Sequence, residues 1–493
     1  MEKYDVIIIG SGLGGLESGF ILAKNGMKVC VLECSTQVGG CLQMFRRGNT
    51  WFDTGFHYVG GLGEGQPLHR LFRYFNLLDL PWHPLDREAF DEVVIDDKSY
   101  PFANGYERFA DTLAQHFPGQ HKNLTAYTAM LKQVGDRFFD AFTAKAANEW
   151  YTSSLFSRSA YDFLSETIDD PLLRKVLSGT SLKMELNINT LPLYVFAQIN
   201  SSFIESAWRL RGGGAQIADR LVRQIRSMGG EVRTGAEVTR LTESGGRLAT
   251  VEVNGEEQLA ATWVISDLHP AYTLSLVDET KLLRNIYRKR ISSLTNTFGL
   301  FTANIRLKPG CVPYRNRNLF IHDPATDGWH HNRPEQNVPV TLVSYYVPET
   351  DDGYATALDL LSPMYWSEVE RWKGSAPGRR GTDYLRMKAD RTEACIRMVS
   401  RQVPELRDSV EKVFTSTPLS YHSYMNAVEG SAYGIRKDYT QPMFTVLTPR
   451  TPIPNLLLTG QNLNLHGILG VSVTSFFTCA EILGRETLVK ETL

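Results

Sequence analysis

The hydrophobic pattern opens on an unbroken apolar run at residues 6–9, which predicts a strand covered on both faces. A helical stretch follows to about Asn25, with Gly26 placed to end it, and a second apolar run at 29–32 delivers Glu33. Helical spacing returns at residues 106–117 and 124–142, with breaks at Asp169-Asp170-Pro171 and Thr190-Leu191-Pro192. After Gly212, Gly213 and Gly214 comes a helix with Ile217, Leu221 and Ile225 on one face, ended by Gly229-Gly230. Short strands are predicted at 231–233, 238–241 and 248–253. An Asn254-Gly255 hairpin leads to 257–261, and another apolar strand follows at 263–266. Residues 297–305 and 340–346 read as strands and 382–403 as a charged helix. The last apolar run, 453–460, ends in Gly460 and passes through a polar loop to a terminal helix.

Chemistry enters with the glycines. Gly10, Gly12 and Gly15 stand in G-x-G-x-x-G spacing between the first strand and its helix. Gly10 permits the tight turn, Gly12 lets backbone approach a pyrophosphate, and Gly15 lets helix and strand pack closely. The pyrophosphate sits at the helix N-terminus, and Glu33 accepts from ribose hydroxyls, which disfavours a 2′-phosphate. This unit implies a dinucleotide without choosing FAD or NAD. Gly39-Gly40 and the string FDTGFHYVGG at 52–61 add a second glycine-rich segment, as backbone held against a flat, extended ligand requires.

At 493 residues the chain exceeds one ordinary core, and a net charge of −2 leaves no basic surplus for nucleic acid. The 6 cysteines include no C-x-x-C pair, so reduced thiols in the cytoplasm are the simplest reading, without a redox-active disulfide. The first residues leave no room for a signal peptide, and no 18-residue apolar run exists. Membrane contact is therefore expected to be peripheral at most. Lys373, Arg379 and Arg380, near Trp366 and Trp372, read as a solvated face, with lipid headgroups as the rival. His330-His331 is too isolated for a metal site, and the aromatics Phe138, Phe139, Phe142, Trp150, Tyr151 and Phe156 read as core.

These pieces in this order resemble the phytoene desaturase and carotenoid isomerase superfamily of FAD-dependent oxidoreductases, part of the amine-oxidase-like flavoproteins. The carriers are the Gly10–Gly15 fingerprint with Glu33, Gly39-Gly40, FDTGFHYVGG, the Gly212 helix start, WVISDLHP at 263–270 and LLTGQNLNLHGILG at 457–470. FDTG-x-HY-x-G is similar to the retinol saturase-like branch. The resemblance covers nearly the whole chain. It implies an α/β fold: a Rossmann-type FAD-binding domain in segments 1–63, 206–284 and 426–493, with a mixed α+β substrate domain inserted at 64–205, mostly helical, and 285–425. It places FAD against Gly10, Gly12, Leu13, Gly14, Gly15, Glu33, Gly39, Gly40, Val238, Gly460, Gln461, Gly470 and Val471, with the terminal helix start aimed at the flavin.

The implied reaction is hydride transfer between flavin and a carbon–carbon double bond of a hydrophobic isoprenoid or polyene, saturation favoured, with one proton carrier from the protein. Candidates are His466, His57 and Tyr58, which fall in the two glycine-rich loops. Rival readings are desaturation or cis–trans isomerisation on the same fold, a flavin amine oxidase with an aromatic cage, and a non-catalytic lipid binder. No second G-x-G-x-x-G unit is present for NAD(P)H, so the electron donor or acceptor is left open.

Overall fold

The computed structural model describes residues 2–139, 154–330 and 338–492, so Phe142, Trp150, Tyr151 and His331 lie outside the described residues. In chain order, β1 (Glu2–Ile9), α1 (Leu13–Lys24) and β2 (Val29–Glu33) form the expected opening unit. Next come the hairpin strands β3 (Asp91–Ile95) and β4 (Lys98–Phe102). The helix α2 (Ala215–Ser227) leads into β5 (Glu231–Thr234), β6 (Val238–Ser244), β7 (Arg247–Val253) and β8 (Glu257–Ser266). A short helix, α3 (Asn285–Ser292), precedes β9 (Gly299–Leu307), β10 (Asn318–His322), β11 (Val340–Tyr345), β12 (Ala357–Met364) and β13 (Val410–Ser416). The chain closes with the short helix α4 (Pro442–Thr445), β14 (Leu456–Leu458) and α5 (Gly467–Leu483).

The first sheet runs β5-β2-β1-β8-β7-β6, with β14 also on β8. β1 is parallel to β2 and β8, pairing Ile9 with Leu32 and with Ser266, and β14 is parallel to β8, pairing Ser266 with Leu458. Register therefore brings four strand ends to one edge of the sheet. Gly10, Glu33, Asp267 and Gly460 all sit there, at the carboxyl ends where an open α/β sheet binds its ligand. Leu16, Phe20 and Ile21 of α1 are buried over this sheet. Each contributes about 1.5–3 kcal/mol of hydrophobic stabilisation.

The second sheet runs β13-β9-β12-β11-β10-β3-β4. Here the structure adds to the sequence reading. The 64–205 insertion, expected to be mostly helical, carries helices over most of its described length and also donates β3 and β4 to this sheet. Their turn, Asp96-Asp97, has φ of 50° and 60°, a hairpin geometry without the glycine that normally announces it. The two runs at 257–261 and 263–266 are one strand, because β8 pairs with β7 on one side and β1 on the other. The run at 453–460 contributes only three strand residues.

Asn455, just ahead of β14, ties the last segment to the sheet. Its Nδ2 donates to the carbonyls of Leu248 at 3.0 Å and Thr262 at 3.2 Å, and its Oδ1 accepts from Leu248 N at 2.8 Å. Removing it takes these partners from the buried N and O of Leu248, while the Thr262 carbonyl keeps its bond from Arg247. Asn455→Ala is expected to lower unfolding free energy by about 2–4 kcal/mol in denaturant titration, against under ~0.5 kcal/mol for a surface control.

Candidate cofactor cradle and active site

The cradle is made of backbone brought too close for side chains. A Cβ on Gly15 would stand 2.1 Å from the carbonyl oxygen of Gly10, and one on Gly14 would stand 3.0 Å from Gly460 N. A Cβ on Gly40 would lie 3.3 Å from Gly12 Cα. Gly10 and Gly39, at φ of 95° and 106°, hold conformations that side chains avoid. Gly39 N donates to Ser11 O at 2.9 Å, tying the second glycine pair to the first loop. Glu33 faces the same loop: Oε2 accepts from Ser11 N at 3.0 Å and Ser11 Oγ at 2.6 Å, and Oε1 accepts from Ser35 N at 2.8 Å. Val238 opens β6 beside Glu33, whose carbonyl accepts from Ala236 N at 2.8 Å.

Gly10, Gly12, Leu13, Gly14, Gly15, Glu33, Gly39, Gly40, Val238 and Gly460 are thus gathered at one edge, with Gln461 next in the loop. The terminal helix begins at Gly467, a turn ahead of Gly470 and Val471. Gly470 is required because a Cβ there would meet Leu465 O at 2.4 Å.

Two buried acids escaped the sequence reading. Asp267 follows β8, and its carboxyl oxygens fill the space in front of Gly12, Gly14 and Gly460, at 2.4, 2.5 and 2.3 Å from where their Cβ atoms would be. It takes a hydrogen bond from the Gly15 amide, and burial pushes its pKa up to about 7. A carboxyl stands where a phosphate oxygen would stand, at the positive end of α1. The residues fit a dinucleotide cofactor: side-chain-free glycine backbone lines the edge, the Gly15 amide is a donor aimed at an anion (here the Asp267 carboxyl), and Glu33 closes β2 where a ribose acid is expected. Glu17, buried in α1, accepts from Ser472 Oγ at 2.7 Å and Ser475 Oγ at 3.2 Å, and burial raises its pKa well above the ordinary carboxylate range. It joins α1 to α5 through these two hydrogen bonds.

The 52–61 string lies between the two sheets. Asp53 Oδ1 accepts from Gly214 N at 2.7 Å at the start of α2, and its own N donates to Tyr346 Oη at 2.9 Å. His57 and Tyr58 each face a buried carboxylate from the second sheet. Tyr58 Oη donates to Asp91 Oδ2 at 3.1 Å, and His57 Nδ1 lies 3.6 Å from Asp359 Oδ2. The two acids differ in charge balance. Asp91 pairs with Lys183 Nζ at 2.7 Å and accepts from Asn318 Nδ2 at 2.8 Å. Lys183 packs over Phe203, 4.2 Å from its ring centroid.

Asp359 has no cation beside it among the described residues. Its Oδ2 accepts from Tyr346 Oη at 2.7 Å and its Oδ1 from Asn304 Nδ2 at 2.7 Å, and burial lifts its pKa to about 7. His57 is driven the other way, down to about 4, by burial and by the Arg209 guanidinium. A neutral imidazole therefore stands against a carboxyl that still holds its proton at mild acid pH.

His466 sits apart from this pair. Its Nε2 donates to Lys183 O at 3.0 Å, its ring lies 4.3 Å from that of Tyr433 at 31°, and burial lowers its pKa to about 4. Rings this close leave no slot between them for a ligand. Sequence offered one signal for Asp359, an acid in the middle of an apolar strand. Asp91, Lys183 and Tyr346 gave none, because only chain crossings bring them together. Among the described residues no three His, Cys, Asp or Glu side chains are grouped to hold a metal ion.

A family model described as flavin containing amine oxidoreductase matches residues 13–289. The chain is 28% identical to the all-trans-retinol 13,14-reductase of Danio rerio, over 99% of this chain and 87% of that one. It is 22% identical to the chloroplastic prolycopene isomerase 2 of an Oncidium hybrid cultivar, over 88% of this chain and 75% of that one. Cyclohexylamine oxidase from Brevibacterium oxydans IH-35A shares the fold, with a TM-score of 0.64 at 16% identity and 99% of both chains covered.

The crowding at Gly14 sets an expectation for flavin loading. Gly14→Val should give a folded, colourless protein that takes up no FAD on titration, whereas an exposed control such as Gly353→Ser keeps its flavin absorbance. Built around this cradle, and matching the family model over more than half of its length, the chain belongs to the flavin-containing amine oxidoreductases and is an FAD-dependent enzyme.

Proposed function

We propose that the chain exchanges hydride between FAD and a carbon–carbon double bond of a hydrophobic isoprenoid or polyene, with saturation as the favoured direction. The observation that carries this is the near full-length likeness to all-trans-retinol 13,14-reductases, joined to a proton-bearing carboxyl behind His57. In this reading segments 1–63, 206–284 and 426–493 hold the cofactor, and 64–205 with 285–425 form the substrate half. Gly10–Gly15 and Glu33 hold the pyrophosphate and ribose, and the loops at 52–61 and 460–471 border the flavin ring. FAD, when bound, supplies the two-electron chemistry.

The protein's own task is then to place the alkene and to deliver one proton. His57 turns Nδ1 toward Asp359, leaving Nε2 on the opposite side of the ring for the substrate. Burial keeps His57 from storing a spare proton, so the store is Asp359. As Nε2–H is given to the alkene carbon, the Nε2–H bond breaks and a C–H bond forms. In the same event Nδ1 takes the Asp359 proton, so the ring stays neutral and the carboxylate left behind is stabilised by Tyr346 and Asn304. Tyr58 serves as the alternative carrier, but burial and the Asp91 carboxyl beside it drive its phenol well above its ordinary pKa, a weak acid for this purpose. His466 holds its loop to Lys183.

A second reading, desaturation or isomerisation of a carotenoid-like chain, is favoured by the likeness to prolycopene isomerase. Direction is then set by the state in which the flavin is supplied, with electrons from a separate reductase or passed to an acceptor.

The test mixes photoreduced protein anaerobically with retinoids, carotenoids and unsaturated isoprenoids and follows the return of flavin absorbance. A substrate of the proposed class restores it; no return with any of them rejects the reading. Proton delivery on this scale is worth about 10²–10⁴-fold, so His57→Ala and Asp359→Asn should each slow the return at least about tenfold with FAD still bound. Asp359 is the donor only while protonated. The wild-type rate is therefore full well below pH 7 and falls as pH rises through about 7, the level to which its pKa is raised. Asp359→Asn should be slow and flat across that range.

A further inference from the structure

We infer that α3 and α4 form a docking face for an anionic phospholipid surface. Ile286 on α3 is 76% exposed, and Met443 and Phe444 on α4 are 67% and 51% exposed, three of the few large apolar side chains the fold leaves in water. The two helices are neighbours: the Arg290 guanidinium lies 6.0 Å from the Phe444 ring centroid and 5.1 Å from that of Tyr287. Around these apolar tips stand Lys281, Arg284 and Lys289, all exposed, together with Arg290. None of the four pairs with an acid among the described residues. Between Lys281 and His322 the sequence has no Asp or Glu at all. On the α4 loop the nearest acid, Asp438, is engaged by Thr440 N at 2.8 Å and Thr440 Oγ1 at 2.7 Å.

Projecting apolar side chains ringed by uncompensated cations match the two layers of an anionic membrane surface. The tips enter the headgroup–acyl boundary, and the cations meet lipid phosphates and carboxylates. No helix among the described residues is long and apolar enough to cross a membrane, so the contact is peripheral. The face read from sequence as solvated, with lipid headgroups as the rival, is split: Lys373 and Arg379 are exposed, whereas Arg380 is buried, donating to Leu419 O at 3.2 Å and Ser423 Oγ at 2.8 Å, and Trp372 is buried. The α4 face also adjoins the interior. Thr445 O, at the end of α4, accepts from Lys437 Nζ at 3.1 Å, and Lys437 lines a cavity with Arg436, Thr190 and His466. Docking does not depend on which reaction the site performs.

Flotation of the FAD-loaded protein with vesicles of phosphatidylcholine, alone or mixed with phosphatidylserine, tests this. The protein should float with the mixed vesicles, stay behind with pure phosphatidylcholine, and detach as salt is raised. Each cation near the surface is worth about fivefold in binding, so Lys289→Glu with Arg290→Glu should weaken it by at least about twentyfold. Ile286→Asp with Phe444→Asp should abolish it, with flavin content and thermal midpoint unchanged. Equal binding to both vesicle types, no binding, or binding by the variants at wild-type strength would overturn the assignment. So would a concentration-dependent dimer lost in Phe444→Asp without vesicle binding, which gives the face to a second copy.

Discussion

The rest of the molecule depends on how closely three backbone segments approach one another at Gly14, Gly40 and Gly460. A single Cβ at Gly15 would push against the Gly10 carbonyl, and one at Gly14 against the Asp267 carboxyl and the Gly460 backbone, and backbone in a parallel sheet cannot retreat. That approach sets the register of β1, β8 and β14, and the register in turn aligns Gly10, Glu33, Asp267 and Gly460 on one edge. Segments more than 400 residues apart in sequence become one site because the glycines let them.

Beyond the cradle, electrostatics divides the work. The second sheet sends two carboxyls toward the 52–61 string, and burial penalises the charged form of both. Asp91 is paired with Lys183 and accepts from Tyr58. Asp359 has hydrogen-bond donors but no cation, so its proton is retained to about neutral pH and His57 faces an acid rather than a salt bridge. Adjacent residues of one loop thereby gain opposite partners. The chemistry of the reactive end comes from the sheet that the sequence reveals least.

Legibility followed the range of the interactions. The opening strand, turn, helix and Glu33 are local, and their spacing alone conveyed the dinucleotide site. Helix ends were readable where Gly26, Asp170-Pro171 and Gly229 mark them. The β3–β4 hairpin was not, since Asp96-Asp97 makes its turn without glycine inside a region dominated by helical spacing. Asp267 was visible only as part of a motif, and its place at the α1 N-terminus follows from β8 lying beside β1. His466 looked well placed from its loop, but the hydrogen bond to Lys183 O, which ties up its proton, crosses 283 residues of sequence. The pairing of His57 with Asp359 spans about as much chain and left no periodic trace.

The fold is shared with cyclohexylamine oxidase, and beyond the cradle the chain places its own buried groups. Tyr433 and His466 close on each other, and His57 of the 52–61 loop faces Asp359 of β12. Such a site is suited to giving a proton to carbon while hydride arrives at its neighbour. The most direct measurement is the mass of the product formed when the photoreduced protein meets a polyene without oxygen. The account predicts a gain of two hydrogens per turnover. An unchanged mass with altered chromatographic retention, or a loss of two hydrogens with the oxidised protein alone, would contradict it.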